Sequence, residues 1–395
     1  MAYTVADFIN SFSGRVKLLT GSGGLTNVIE DIGMLDYELD ETLRNKYVHS
    51  SFRGQLVLTS FLYAKDDPFL ITDAVKYLLS NGARALAVKN VFRLPIADST
   101  LRYADSRNFP IISVPPDGIY FEDLVYEVRS LAKTMSDAGL VHRELDLIIA
   151  GGLTEAELLT HVRQINPSFE QHLLAVYFKS GGSFGQNEYL KMRARFEASG
   201  LAAPAAKLCL YKRGALLLYS NDETSALCGD AFVGRLCAAL TEEADDFSIG
   251  VSREHFSLSE FRECLRECLC ASLFEAPGGA GFTRYDSLGS YRILLPFAGS
   301  EALRRFKDDV AGPVVEYDIE NRSELFNSLS EYVLCGCDLH AAAQKMSVHE
   351  NTLRYRLEKV ASLTGLDYKR QEQLEQLSLA MKIDRCERLL EGTAL

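Results

Sequence analysis

The sequence predicts a multidomain α/β protein closed by an all-α C-terminal module. Three observations predict it. Short β-favouring runs alternate with helical stretches through residues 1–116 and again through 151–320. The last 75 or so residues carry helical periodicity with no strand signal, an estimate of extent from the apolar spacing. At 395 residues the chain exceeds one ordinary domain, and its 47% hydrophobic content can fill several cores.

In the first α/β region, Val5 to Phe12 reads as a short helix and Val16 to Leu19 as a strand. Gly21-Ser22-Gly23-Gly24 is a loop that could either turn or cradle a phosphate. It lacks a Walker lysine and the spacing of a dinucleotide fingerprint. Gln55–Thr59, Ala85–Val88 and Pro110–Val114 are apolar strand candidates, with helices expected at Asp73–Ser80 and Leu101–Arg107. Strands separated by helices imply a mainly parallel sheet.

Residues 117–150 form an expected helical linker. Phe121, Leu124, Val128, Leu131 and Met135 repeat in a heptad rhythm, which suits either a dimerising stalk or a helix packed on its own domain. Asp137-Ala138-Gly139 is expected to break it before a second helix at Arg143–Ala150. In the second α/β region the expected strands are Leu173–Phe178, Lys207–Tyr211, Ala215–Tyr219, Phe247–Val251 and Tyr291–Leu295. The expected helices are Glu188–Ser199, Asp230–Thr241 and Ser259–Leu273, and Lys212-Arg213-Gly214 reads as a hairpin turn.

Residues 321–395 are expected to be one helical module. Leu325, Leu329 and Tyr332 give its first helix an inner face, and Glu372–Leu390 is a long closing helix. Between them, Leu339–Lys345 and a second helix ending near Leu363 are joined by Met346-Ser347-Val348. Ser347 is the expected N-cap of that second helix, with Glu350 completing a capping box and Gly365 ending the helix. Leu353, Leu357 and Val360 share one apolar stripe, while Asn351, Thr352, Tyr355 and Lys359 face away and Arg354 and Arg356 flank it. Amides, hydroxyls and cations at the start of such a helix suit phosphates and base edges. A helical hairpin with a solvated polar face would show the same spacing. Residues 338–370 carry six Lys/Arg and four Asp/Glu, a net of +2 on a chain whose net charge is −12.

The run Val348-His349-Glu350-Asn351-Thr352-Leu353-Arg354-Tyr355-Arg356-Leu357, with Leu363-Thr364-Gly365-Leu366-Asp367 behind it, resembles the C-terminal helix-turn-helix of the PucR family of bacterial transcription regulators. It departs at Glu350, where that family usually has arginine. Gly24–Val28 and Gly54–Ser60 resemble the PucR-type N-terminal domain, with Gln55 at a position usually held by glutamate. The resemblance implies four parts: an N-terminal sensor domain (1–116), a helical linker (117–150), a GGDEF-like middle domain (151–320) and a DNA-binding helix-turn-helix domain (321–395). The middle domain should be catalytically silent, because Tyr211-Lys212-Arg213-Gly214-Ala215 stands where the acidic loop would be.

The expected activity is therefore ligand-responsive transcription regulation, not catalysis. Asn351, Arg354 and His349 are the candidate base readers, and Ser347, Thr352, Tyr355 and Arg356 the candidate phosphate contacts. The expected partners are double-stranded DNA, a small-molecule effector and a second copy of the chain; no cofactor and no metal are expected. The alternatives are a nucleotide-signalling enzyme or a protein-binding module. No apolar run spans a membrane, and Met1–Asn10 does not read as a signal peptide. Nine cysteines without a framework suit free thiols in a reducing cytoplasm. Cys264 and Cys268 read as buried residues or a redox pair, while Cys335-Gly336-Cys337 lacks the second half of a zinc site.

Overall fold

The structure is a computed structural model that describes residues 2–12, 14–35, 52–222, 229–242, 246–275 and 281–391. The chain divides into two compact units, Met1–Leu147 and Ile148–Leu395.

The first unit runs α1 (Val5–Ser11), β1 (Lys17–Thr20), β2 (Asp31–Met34), β3 (Gln55–Thr59), α2 (Leu70–Ser80), β4 (Ala85–Val88), α3 (Asp98–Ser106), β5 (Ile111–Ser113) and α4 (Phe121–Ala150). Its sheet has the order β1-β5-β4-β3-β2. The four strands β2 to β5 are parallel and β1 is antiparallel at the edge. Strands β3 and β4 are largely apolar because both faces are covered: Leu56 to Thr59 and Ala85 to Val88 are all buried. Ile71, Ala74, Val75 and Leu78 of α2 pack in one cluster with Val57, Leu86 and Ile111.

The Gly21–Gly24 loop is a tight turn and not an open cradle. A Cβ on Gly21 would lie 2.2 Å from the Phe109 carbonyl oxygen, and φ there is +82°. Strand β2 escapes the sequence reading because it is short and only Ile32 in it is buried. The break expected at Asp137–Gly139 is absent: α4 continues through it, since one glycine in a 30-residue helix costs only about 1 kcal/mol. Leu124, Val128 and Met135 of the heptad stripe are buried.

The second unit continues with α5 (Glu155–Ile165), β6 (His172–Ser180), α6 (Gln186–Ala198), β7 (Ala206–Tyr211), β8 (Gly214–Asn221), α7 (Asp230–Leu240), β9 (Phe247–Val251), α8 (Phe261–Ala271) and β10 (Thr283–Arg284). The sheet order is β10-β9-β6-β8-β7. Strand β6 is central and antiparallel to both neighbours, and β7 and β8 form the expected hairpin with Tyr211 paired to Gly214. Helix α8 lies so close to β9 that a Cβ on Gly250 would meet the Cys268 carbonyl oxygen at 2.1 Å. Cys264 and Cys268 are buried in this packing.

The strand expected at Tyr291–Leu295 is wrong. Those residues form α9 (Tyr291–Leu294) and a following 3-10 turn. Leu294 and Leu295 are buried while Ile293 is exposed, which is a helical and not an alternating pattern. The fifth strand is instead the two-residue β10, paired parallel to β9.

Five helices complete the unit: α10 (Glu301–Asn321), α11 (Leu325–Leu334), α12 (Leu339–Lys345), α13 (Glu350–Thr364) and α14 (Gln371–Glu391). Helix α10 ends at Asn321 and packs with the helices that follow it. Its Val310, Ala311 and Val314 pack with Leu329, Leu353, Leu357, Val360, Leu377 and Met381 in a single core. The Asp318 carboxylate accepts the amides of Leu325 and Phe326 at 2.9 and 2.8 Å and so caps α11. Ile383 and Cys386 of α14 reach a second cluster with Leu273, Phe274 and Leu294, which ties the helical module to the sheet domain before it.

Candidate nucleic-acid interface

Helix α12 starts at Asp338, whose carboxylate accepts the amides of His340 and Ala341 at 2.8 and 3.1 Å. It ends in a left-handed residue, Ser347, with φ of +54°. The Ser347 amide donates to the Gln344 carbonyl at 3.1 Å and the Val348 amide to that of Ala343 at 3.0 Å. This pair of bonds is a Schellman motif, and Ser347 holds the place glycine usually takes. The expected N-cap role of Ser347 is therefore wrong. His349 caps α13 instead: its backbone is extended and Nδ1 accepts the Asn351 amide at 3.2 Å.

The capping box fails for the same reason. Glu350 is the first residue of α13, and its Oε1 lies 2.7 Å from His340 Nδ1 across the turn. That hydrogen bond and the carboxylate's charge hold the His340 imidazole above its ordinary pKa. The one acid at the head of α13 is thus countered by an imidazole from α12. The other features stand as expected. Leu353, Leu357 and Val360 are buried, and Gly365 ends the helix at φ of +71°.

The face opposite that stripe is open. Ser347, His349, Asn351, Thr352, Arg354 and Tyr355 are all exposed, and the Tyr355 ring is 69% accessible. Arg354 Nη1 donates to Asn351 Oδ1 at 3.4 Å, one turn apart on the helix. No carboxylate pairs with Arg354 among the described residues. This places a guanidinium, an amide, a phenol and a hydroxyl on the first two turns, with the amino end of the helix beside them. Such a set can donate to phosphates and form forked hydrogen bonds to base edges.

Two cations stand apart. Arg356 is half-buried, and its Nη1 reaches Glu324 at 3.3 Å and Ser328 Oγ at 3.1 Å on α11. The structure does not bring it onto the face with the other six. Lys359, expected to point outward, rests 4.7 Å from the Tyr317 ring of α10. It turns inward because α10 packs in the same core as α13. The sequence reading missed the His340–Glu350 clasp. Its signal was a histidine in the first turn of α12 and an acid in the first turn of α13.

Residues 325–383 match the PucR C-terminal helix-turn-helix domain, and residues 9–131 match the purine catabolism regulatory protein-like family. A stretch of 83 residues is 29% identical to the proline-responsive transcriptional activator PutR of Bacillus subtilis, covering 21% of this chain and 20% of that one. Another of 92 residues is 34% identical to the purine catabolism regulatory protein of the same organism, over 23% of this chain and 17% of that one. A third of 47 residues is 49% identical to an uncharacterised protein of Haemophilus influenzae, over 12% of this chain and 13% of that one. The chain thus spans a fifth or less of the length of these relatives. A solved regulator of polyketide synthase expression from Bifidobacterium adolescentis aligns over 60% of this chain and 96% of its own, at 18% identity and a TM-score of 0.26, too loosely to inform the fold. Two segments of the chain, 9–131 and 325–383, are therefore similar to the purine catabolism regulatory protein-like family and to the PucR C-terminal helix-turn-helix domain.

Proposed function

We propose that this chain is a ligand-responsive bacterial transcription regulator that binds double-stranded DNA through α13. The observation that carries the reading is the head of that helix. Its apolar stripe is fully buried, so the opposite face, with Asn351, Thr352, Arg354 and Tyr355, is held rigidly outward. In a helix-turn-helix this is the part that enters the major groove. Asn351, Arg354 and His349 read base edges in this proposal. Ser347, Thr352 and Tyr355 meet phosphates, and Arg356 joins them by exchanging Glu324 for a phosphate. One short helix reads few base pairs, so the working form is a homodimer or higher homo-oligomer on paired half-sites.

The remaining assignments follow that reading. The first unit acts as the effector sensor. The relatives named for proline and for purine catabolism support a small-molecule response without choosing its ligand. In this proposal the middle domain is GGDEF-like and catalytically silent, since its β7–β8 hairpin carries Lys212 and Arg213 where an active cyclase needs acids to hold metal. The protein works in the cytoplasm and controls a catabolic operon.

The test is capture of sheared genomic DNA from the source organism by purified protein at near-physiological salt, beside an Asn351→Ala/Arg354→Ala variant. A few enriched sites that vanish in the variant are expected. Equal recovery by both proteins, or no enrichment with or without pooled metabolites, would reject the reading.

A further inference from the structure

Open α/β sheets receive ligands beyond the carboxyl ends of their parallel strands. The first unit has a cleft of about 730 Å³ there. Met34 ends β2, Lys89 follows β4, and the first turns of α4 close the opposite wall. The volume falls within the range of small-molecule sites, roughly 300–1,000 Å³.

The lining has two characters. Met34, Tyr120, Val125 and Tyr126 offer apolar surface, with Tyr120 and Tyr126 respectively 68% and 79% accessible. Free aromatic and aliphatic surface of this kind is uncommon beside a sheet whose strands are otherwise covered. The second character is cationic: Lys89, Arg129 and Lys133 line the cleft with Glu122, and Asp31 pairs with Arg129, so three cations meet two acids. The whole chain carries 54 acidic and 42 basic residues, so this local excess runs against the overall balance.

The cations are also held in place. Lys89 Nζ donates to the Ile119 carbonyl at 2.5 Å and lies 5.4 and 5.9 Å from the Tyr120 and Phe121 rings. An ammonium has three donors, so this anchor leaves others for a ligand. Arg129 Nε donates to Asp31 at 2.8 Å, which orients the guanidinium and leaves its two terminal nitrogens. Lys133 lies one turn further along α4, and no carboxylate pairs with it among the described residues.

We propose that this cleft binds a small organic anion, in which a carboxylate, sulfonate or phosphate is joined to an aromatic or aliphatic body. The anionic group sits between Arg129 and Lys133, and the body lies against Tyr126, Val125 and Met34. This deepens the reading of the chain as ligand-responsive, and rests on that reading for any effect on DNA.

The experiment titrates the full chain with 8-anilinonaphthalene-1-sulfonate, an aromatic anion, and with uncharged N-phenyl-1-naphthylamine, each followed by fluorescence. The expected result is one saturable sulfonate site. Arg129→Gln/Lys133→Gln weakens it by about tenfold or more, from the loss of charge-assisted hydrogen bonds. The same double variant leaves the uncharged probe unchanged, and Val125→Trp, which fills the cleft, removes the site for both. Circular dichroism confirms that each variant is folded. The absence of a saturable site, equal loss of both probes in the double variant, or indifference to Val125→Trp would overturn the proposal. DNA capture by the same preparations is scored separately. Sulfonate binding that follows the expected pattern beside failed capture would uphold the cleft and reject the regulatory reading.

Discussion

Ser347 offers a test in which two assignments of one residue predict different outcomes. As the left-handed residue of a Schellman motif, it bears the steric cost of a Cβ at φ of +54°. That cost is roughly 1–2 kcal/mol for an L-residue. Ser347→Gly removes it and gives back about 0.5–1 kcal/mol through the greater freedom of glycine in the unfolded chain. The net expectation is a gain of about 0.5–1 kcal/mol in the local stability of the α12–α13 hairpin. Ser347→Ala keeps the Cβ, and the Ser347 hydroxyl makes no hydrogen bond among the described residues, so this variant should be close to neutral. Native-state hydrogen exchange by mass spectrometry, read on peptides within 339–364 of the full chain, measures the local opening energy. Exchange should slow ~2–5-fold in Ser347→Gly and hardly change in Ser347→Ala. If the serine capped α13, alanine would cost about 1 kcal/mol and glycine only a few tenths. Exchange that accelerates ~5-fold or more in the alanine variant, with glycine near wild type, would refute the structural argument.

Arg354→Ala should weaken binding to a captured site by ~1–3 kcal/mol and relax preference at one base pair, as measured by competition between single-base operator variants. A uniform loss on every sequence would assign Arg354 to a phosphate. Leu357→Ala leaves a cavity in the helical core and should destabilise that module by about 2–5 kcal/mol, seen as faster exchange across α10 to α14. The His340 titration midpoint, followed by NMR, should lie above the ordinary imidazole value and fall towards it in Glu350→Gln. Because the folded pKa is raised, the clasp contributes fully below the unfolded value near 6.5 and is lost as pH rises through the folded one. A midpoint that ignores Glu350→Gln would remove the clasp as the cause.

Local sequence determined the periodic elements of this protein. The stripe of Leu353, Leu357 and Val360 is buried as its spacing implies, and Gln55–Thr59 and Ala85–Val88 are strands over the expected residues. These succeed because one-sided or two-sided burial imposes a period on the residues themselves. The exposed set from His349 to Tyr355 was legible for the same reason, since a buried stripe leaves a defined opposite face. Tertiary structure decided the rest. Tyr291–Leu295 became helical because its leucines meet Ile383 and Cys386, nearly a hundred residues away. Arg356 and Lys359 left the outward face because Glu324, Ser328 and Tyr317 lie beside them on helices that local pattern cannot position. Ser347 entered the left-handed region because the two hydrogen bonds that close α12, and the seating of Val348 against the core, outweigh its steric preference. Periodicity records how one segment meets an interior. Which partner it meets depends on distant parts of the chain, and a sequence window does not contain them.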